Sequence, residues 1–407
     1  MANTIITPSW VTTDTAVNFK NAMKLIGLFD RTWDESWENK PGGAQIGYTV
    51  QARIQQRFET VEGQGLQVQA ILNQTVPISI NHYLQTAMTW SVLEATLEIE
   101  KVQERYTKPA GVSHANKWDT IAGEEVYRQV YYSIGTPGVP LSSDQVWSDG
   151  VAKLHSVAVP EELYAVITPQ AQSAILNTNL TLFGERYQTY FKTGQFSGNA
   201  LGVDEWYWDP NLPMHTTGTF TSSTPAIVGA GQTGSTLSID GMGTYALKAG
   251  DVFTIDGVYT LNPVSYVDTG LLQQFSLQAD VAGSSTATLT FAPAIITSGP
   301  LRNVTNSPAN DAGLLFMGAT GMTSATMAAT RSKQSFLFNP GAFAFVMADL
   351  ESPLPGADSK RANDSQARVS MRWVSQYNIQ TNQIPRRVDS CGGVACVLPY
   401  FAIRAWS

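Results

Sequence analysis

Charged residues are scarce in this chain of 407 residues. They make up 14% of it, against roughly 25% in an average soluble protein. Neutral polar residues and 33 glycines take their place. Because such a surface costs less to desolvate against a partner, the composition favours extensive self-association. The net charge of −8 and the lack of a dominant lysine or arginine cluster argue against a protein whose main task is to grip phosphate.

Signals for secretion and for membrane insertion are also lacking. Met1 to Trp10 contain no basic stretch followed by an apolar core, so we expect no signal peptide. No run of about 18 apolar residues occurs, so we expect no membrane-spanning helix. The two cysteines, Cys391 and Cys396, are predicted to be free thiols in a protein made in the cytosol. A disulfide across a hairpin is the alternative.

Motifs for catalysis are missing or stand in the wrong context. Gly229 to Gly234 matches the dinucleotide fingerprint, but a strand-like stretch follows it instead of a helix, so we interpret it as a flexible turn. No nucleophile elbow, Walker lysine or catalytic cysteine motif occurs. The sequence therefore predicts no enzyme, and it predicts neither a catalytic, nor a cofactor, nor a metal site.

The histidines show no metal-ligand spacing. One of them, His215, lies near three carboxylates and an aromatic run: Asp204, Glu205, Asp209 and Trp206 to Trp208. Such a group could bind a metal ion or stack on a sugar ring. A loop anchored by its aromatic side chains is the favoured interpretation.

Strict alternation of apolar residues between Gly42 and Ile80 predicts a long two-stranded hairpin. The apolar residues occupy even positions on both sides of a polar tip, Arg57 through Gly65. A free hairpin of this length is unstable in water, so it must lie against something. Packing on its own domain and reaching over a neighbouring subunit both stay open. The charged tip residues Arg57, Glu59 and Glu62 are the candidate subunit contacts.

The segments that flank this hairpin are predicted to be helical. An N-terminal arm carries one helix, capped by Thr13 or Asp14 and ending near Gly27. Residues 91 to 134 form either one long helix interrupted at Pro109 to Gly111 or two packed helices. Ser142 and Gln145 have the spacing of a capping box ahead of another short helix.

The rest of the chain predicts an α/β domain with a β module inserted into it. Leu163 to Ile167 is a strand that feeds a helix capped by Thr168 and Pro169. Between about 218 and 300, short alternating stretches separated by turn residues predict a small sandwich or barrel. After this range the sequence again predicts both helices and strands, as expected if the β module is a domain inserted into a loop of the α/β domain. The apolar run Val394 to Ile403 predicts a strand buried on both faces, so the chain ends inside a sheet.

The order of these parts resembles the Hong Kong 97-type (HK97-like) major capsid fold of tailed phages. The β insertion makes the chain similar to the coat proteins of the Salmonella podophage P-twenty-two type. The stretches that carry the likeness are Leu163 to Gln170, Gly202 to Trp206 with Asp209 to Pro213, Leu247 to Val258, and Ser335 to Pro340.

The resemblance implies an α+β capsid fold whose parts can be assigned to ranges. These are an N-terminal arm 1–40, an extended hairpin loop 41–80, a peripheral domain with a spine helix 81–160, an axial α/β domain 161–217 and 303–365, an inserted β-barrel 218–302, and C-terminal strands 366–407.

The resemblance also implies a structural role in an icosahedral shell around a double-stranded DNA genome. The chain is then made in the host cytoplasm and assembles with itself into hexamers and pentamers of a virion capsid. A scaffolding protein, a portal and a decoration protein are the further expected partners, DNA is contacted non-specifically, and no membrane is involved. A bacterial encapsulin-like shell is a near variant. A secreted or virion-surface carbohydrate-binding protein, using Trp206 to Trp208, is the alternative from another class.

Overall fold

The structure is a computed structural model and describes residues 8–33, 49–60, 62–63, 65, 68–69, 71–91, 106–178, 200–321, 325–351, 358–364, 369–381 and 383–407. Its helices are α1 Pro8–Ala22, α2 Lys108–Val126, α3 Asp144–Ser156 and α4 Pro169–Thr178. Within the described part of the chain, no helix combines the length and the apolar character needed to cross a membrane.

The strands are numbered in chain order. They are β1 Thr49–Arg53, β2 Thr75–Ser79, β3 His82–Ser91, β4 Tyr132–Ile134, β5 Tyr164–Ile167, β6 Glu205–Trp208, β7 Met214–Thr216, β8 Thr219–Ser223, β9 Ala226–Ile227, β10 Gly234–Asp240, β11 Thr244–Leu247, β12 Val252–Leu261, β13 Asp268–Leu277, β14 Val281–Ser284, β15 Ala287–Ile295, β16 Leu314–Phe316, β17 Ala325–Met327, β18 Arg331–Phe338, β19 Phe343–Met347, β20 Asp358–Asp364, β21 Val369–Ser375, β22 Gln383–Cys396 and β23 Ala402–Trp406. The chain divides into two compact units. The first unit comprises 1–53, 75–122 and 343–397, and the second comprises 54–74, 123–342 and 398–407.

The first unit is built on an antiparallel sheet in the order β19-β22-β21-β20, with β3 also paired to β22. The indole of Trp118 on α2 is fully buried, donates a hydrogen bond to Ser390 Oγ at 3.0 Å and lies 5.2 Å from the ring of Phe345. Helices α1 and α2 come very close at Gly111, where an added Cβ would lie 2.8 Å from the carbonyl oxygen of Thr15. This glycine therefore permits the two backbones to touch.

The base of the predicted hairpin is present in the first unit. β1 and β2 pair antiparallel from Thr49 opposite Ser79 to Arg53 opposite Thr75, and Ala52 and Ile78 are fully buried. The hairpin lies directly on β22, because an added Cβ on Gly393 would meet the carbonyl oxygen of Ser79. The period-two prediction is thus confirmed for β1 and β2, and the base packs on its own unit. The predicted strands are longer than the observed ones, since the described residues between 54 and 74 carry no strand.

The second unit contains a mixed sheet in the order β4-β23-β18-β5-β6, with β7 also paired to β18. β23 lies between β4 and β18, so the chain ends inside a sheet as predicted. The predicted strand-to-helix step is confirmed, since Thr168 Oγ1 accepts a hydrogen bond from Ala171 N at 3.1 Å and caps α4. Trp147 and Leu154 of α3 and Ile403 of β23 lie in one apolar core on this sheet.

The β module of the second unit consists of two antiparallel sheets around one apolar core. Their strand orders are β16-β12-β13-β15-β10-β9 and β14-β11-β8-β17. Phe253, Phe275 and Phe291 stack at the centre of the core with ring centroids 5.1 to 5.8 Å apart. The strands on either side of the module, β7 and β18, pair with each other, as an insertion requires. Strand pairing continues past residue 302, because β16 pairs with β12 and β17 with β8.

Two helix predictions need correction at their N-termini. α1 begins at Pro8, so Thr13 and Asp14 lie inside the helix and do not cap it. α3 is capped by Ser143, whose side chain accepts a hydrogen bond from Gln145 N at 3.3 Å, and not by Ser142. Both helices are present, but α1 also ends earlier than predicted, at Ala22 instead of near Gly27.

Other predictions differ at prolines. Pro109 to Gly111 lie at the start of α2, directly after the π-helical residues Tyr106 and Thr107, and they do not interrupt it. The run Val394 to Ile403 is not one strand, because a 3-10 turn at Pro399–Phe401 separates the end of β22 from β23. Most of the helical segment predicted after Ser91, and the second helix predicted towards Phe191, fall outside the described residues.

Candidate self-assembly surface

The tip of the hairpin, residues 54–74, is held together by glutamine side chains. The amide of Gln56 donates to the carbonyl of Leu72 and accepts from Leu72 N at 3.0 Å. Gln69 does the same for Glu59, donating to its carbonyl and accepting from Glu59 N at 2.9 Å. Each side-chain amide thus replaces one rung of a β-ladder, since an amide offers the same donor and acceptor as a peptide group.

Two of the three predicted contact residues have partners in their own chain. Both oxygens of the Glu59 carboxylate are bound by the Arg302 guanidinium, at 2.7 and 3.1 Å. Arg302 in turn lies over the ring of Tyr266, 4.2 Å from its centroid. Arg57 lies 4.8 Å over the ring of Tyr400. Glu62 is exposed. A contact with a neighbouring subunit stays a prediction for all three.

An open cavity of about 220 Å³ lies between the hairpin tip and the rest of the second unit. Arg57 and Gln74 line it from the hairpin, and Tyr132, Gln273 and Pro399 line it from the rest of the second unit. Protein cores are close-packed. A contact that leaves this much space is therefore less complete than a core contact.

Apolar side chains of the tip face solvent. The exposed fraction is 59% for Phe58, 84% for Val68, 70% for Ile71 and 42% for Leu72. We call these four residues the tip apolar set. Glu59 and Arg57 join the described part of the tip to the rest of the chain through hydrogen bonds and a cation–π contact, while the tip apolar set is exposed. This distribution is the one expected of a surface that a partner covers.

His215 has a buried carboxylate partner that is distant from it in sequence. His215 Nε2 lies 2.9 Å from Asp251 Oδ1, and both side chains are buried. Asp251 also accepts hydrogen bonds from Gly218 N at 3.0 Å and Lys248 N at 2.8 Å. It thereby joins the first residues of the β module to the turn before β12. Burial lowers the pKa of the neighbouring Arg404 to about 10.

The predicted aromatic run is split between core and surface. Trp206 is buried, with its ring 5.2 Å from that of Trp147, whereas Trp208 is 40% exposed. Trp206 anchors the run in the core, but it does so from strand β6 and not from a loop.

The remaining sequence motifs have structural roles. Gly229 to Gly234 forms the turn before β10, with Gly229, Gly231 and Gly234 at positive φ, as the turn interpretation predicts. Cys391 and Cys396 are free thiols on one strand. Burial raises the pKa of both thiols. Among the residues that the structure describes, no group of three or more histidine, cysteine or acidic side chains could hold a metal ion.

A charged cluster in the first unit was not anticipated. The fully buried carboxylate of Asp389 is bound by Arg372 Nη2 at 2.7 Å and by Arg387 Nε at 2.8 Å. Arg372 Nη2 also donates to the Tyr83 hydroxyl at 3.1 Å. The residues come from β3, β21 and β22, so only the strand pairing brings them together. Arg302 and Tyr400 were also not anticipated as partners of the hairpin tip, because no local signal in the sequence connects them to it.

Sequence comparisons give no relative, and structural comparisons give likenesses at low identity. No family model matches the chain, and no curated protein matches it. A structure of Mycobacterium phage Che8 is similar with a TM-score of 0.45 and 10% identity, covering 93% of this chain and 89% of that one. A capsid structure of the cyanophage P-SCSP1u is similar with a TM-score of 0.44 and 11% identity, covering 89% and 84%.

A shorter likeness involves part of the chain. The coat protein I-domain of CUS-3 is similar at 23% identity with a TM-score of 0.18, and covers 23% of this chain and 94% of that one.

Proposed function

We propose that this chain is the major capsid protein of a tailed bacteriophage, with an HK97-type fold and an inserted β module of the P-twenty-two type. Copies of the chain form the hexamers and pentamers of an icosahedral shell that encloses double-stranded DNA. A scaffolding protein, a portal and a decoration protein are its further proposed partners. The role is structural and not enzymatic, and the place of the protein is the virion capsid after synthesis in the host cytoplasm.

The observation that carries this proposal is the tip apolar set. Burying one more large apolar side chain contributes about 2 kcal/mol, and a shell repeats the gain at every equivalent interface. The chain also has a surface of low charge, which lowers the cost of desolvating large contacts. A hairpin whose base is packed and whose tip is apolar and exposed supplies a suitable contact for tiling.

The proposal is tested by assembly of tip variants. Wild-type protein, Phe58→Asp and Leu72→Asp are purified and compared by sedimentation velocity and electron microscopy. We expect shells from the wild type and only small species from the two variants, because a carboxylate at a buried interface is costly.

The matched control is Val228→Asp, since Val228 is 44% exposed and Leu72 is 42% exposed. We expect this variant to form shells, and circular dichroism checks that every variant is folded. Normal shells from both tip variants would overturn the assignment of the tip as the assembly contact. A wild-type protein that never assembles, alone or with the other proteins of its phage, would overturn the proposed function itself.

A further inference from the structure

The hairpin tip is fixed by residues that are distant in sequence and belong to the β module and the C-terminal segment. Arg302 follows β15 and binds Glu59 with two hydrogen bonds, while Tyr400 lies in the 3-10 turn before β23 and its ring lies under Arg57. The planar guanidinium of Arg302 is held from a second side by the ring of Tyr266. A two-pronged contact between guanidinium and carboxylate fixes direction as well as distance.

We propose that Arg302, with Tyr266 beneath it, is a positioning residue that holds the hairpin tip of its own chain in the orientation needed to bind a second copy of this chain. We call the contact of Glu59, Arg302 and Tyr266 the tip latch. The inference rests on the proposed function for the identity of the partner. The latch itself is a property of the single subunit and is measurable without assembly.

The side chains that the latched tip exposes indicate whether the latch favours or opposes assembly. Phe58 is adjacent to Glu59 and is 59% exposed while the latch is closed, and Ile71 is 70% exposed. The latch therefore does not cover the apolar residues that a partner would bury. It fixes them in place instead, which lowers the conformational entropy that the partner contact must overcome. Opening the latch should slow assembly.

The latch is weak enough to adapt to different neighbours. The side chains of Arg302 and Glu59 are 26% and 35% exposed, and the residues on either side of Arg302 line the open cavity. Ion pairs that are open to solvent contribute little each. The tip is thus biased towards one orientation and not locked in it.

Charge reversal distinguishes a latch within one chain from a contact between two chains. The variants are Glu59→Arg, Arg302→Glu and the double variant with both changes. Glu62→Arg is the matched control, because Glu62 lies in the same tip and is exposed. Hydrogen exchange of the amides of residues 69–74 is measured in dilute subunits, and shell formation is followed by light scattering.

We expect each single reversal to raise tip exchange about two- to five-fold and to slow shell formation. The double variant should restore both, and Glu62→Arg should exchange like the wild type. A one-to-one mixture of the two single variants should stay slow, because neither chain can close its own latch.

Rescue by the mixture would place the contact between chains and overturn the inference. Unchanged tip exchange in both single variants would overturn it as well. If the wild type never forms shells, the proposed function fails, and tip exchange in the subunit still decides whether the latch exists.

Discussion

Replacing Gly393 with alanine should loosen the hairpin base from the sheet of the first unit. The added Cβ would lie 1.9 Å from the carbonyl oxygen of Ser79 and 3.2 Å from Ile80 Cα. Both are backbone atoms, so β2 or β22 must shift by more than 1 Å to reach ordinary contact distance. Overpacking of this kind costs about 1 to 3 kcal/mol.

The matched control for this change is Gly65→Ala. Gly65 has nothing within 4 Å of its Cβ position. Both substitutions reduce the freedom of the unfolded chain equally, so their difference isolates the clash. We expect Gly393→Ala to lower the melting temperature by a few degrees and to speed amide exchange in β2, with Gly65→Ala close to the wild type. Equal melting temperatures and equal β2 exchange would refute the close contact of β2 with β22.

Three further changes test other parts of the structure. Burial lowers the pKa of His114 from 6.5 to about 4. Between these pH values the unfolded chain binds a proton that the folded chain does not, so the free energy of unfolding should fall by up to about 3 kcal/mol as the pH drops from 6.5 to 4. Melting curves of wild type and His114→Gln at acid pH check this, and equal dependence of the two melting temperatures on pH would contradict it. Asp251→Asn should cost about 3 kcal/mol because it weakens hydrogen bonds to a buried carboxylate, whereas the exposed Asp256→Asn should change the melting temperature little. The buried thiol of Cys396 should not react with Ellman's reagent until the protein unfolds, while fast labelling of the native protein would show that the end of β22 is open.

Local signals predicted the parts of the fold that depend on neighbours in sequence. Alternation predicted β1 and β2, and the Thr168-Pro169 pair predicted the start of α4. The same proline signal was present at Pro8, the first residue of α1, but the polar residues Thr13 and Asp14 were taken as the cap. Pro399 likewise marks the turn that divides the last apolar run.

Long-range pairing could not be predicted in the same way. β3 has no counterpart among the predicted elements, although all ten of its residues pair with β22, which lies about 300 positions later. The module core draws on Phe220 and Met327, whose strands pair across a hundred residues. These partners are chosen by burial in three dimensions, and burial leaves no fixed spacing in the sequence.

The candidate site shows the same division. The charged tip was identified from composition, since Arg57, Glu59 and Glu62 stand in a turn between two alternating segments. Their partners were not, because Arg302 is 243 positions from Glu59. For the same reason the sequence does not indicate Asp251 as the partner of His215, since Asp251 is 36 positions away and lies beside it only when the β module folds.

The central claim is that copies of this chain close into a shell, and electron microscopy of the purified protein tests it most directly. Wild-type protein is expressed alone and together with the other structural proteins of its phage, and the material is imaged after sedimentation. The account predicts closed shells of uniform size in at least one of these preparations. Protein that stays monomeric in all of them, with no shell of this chain in the parent particles, would contradict it.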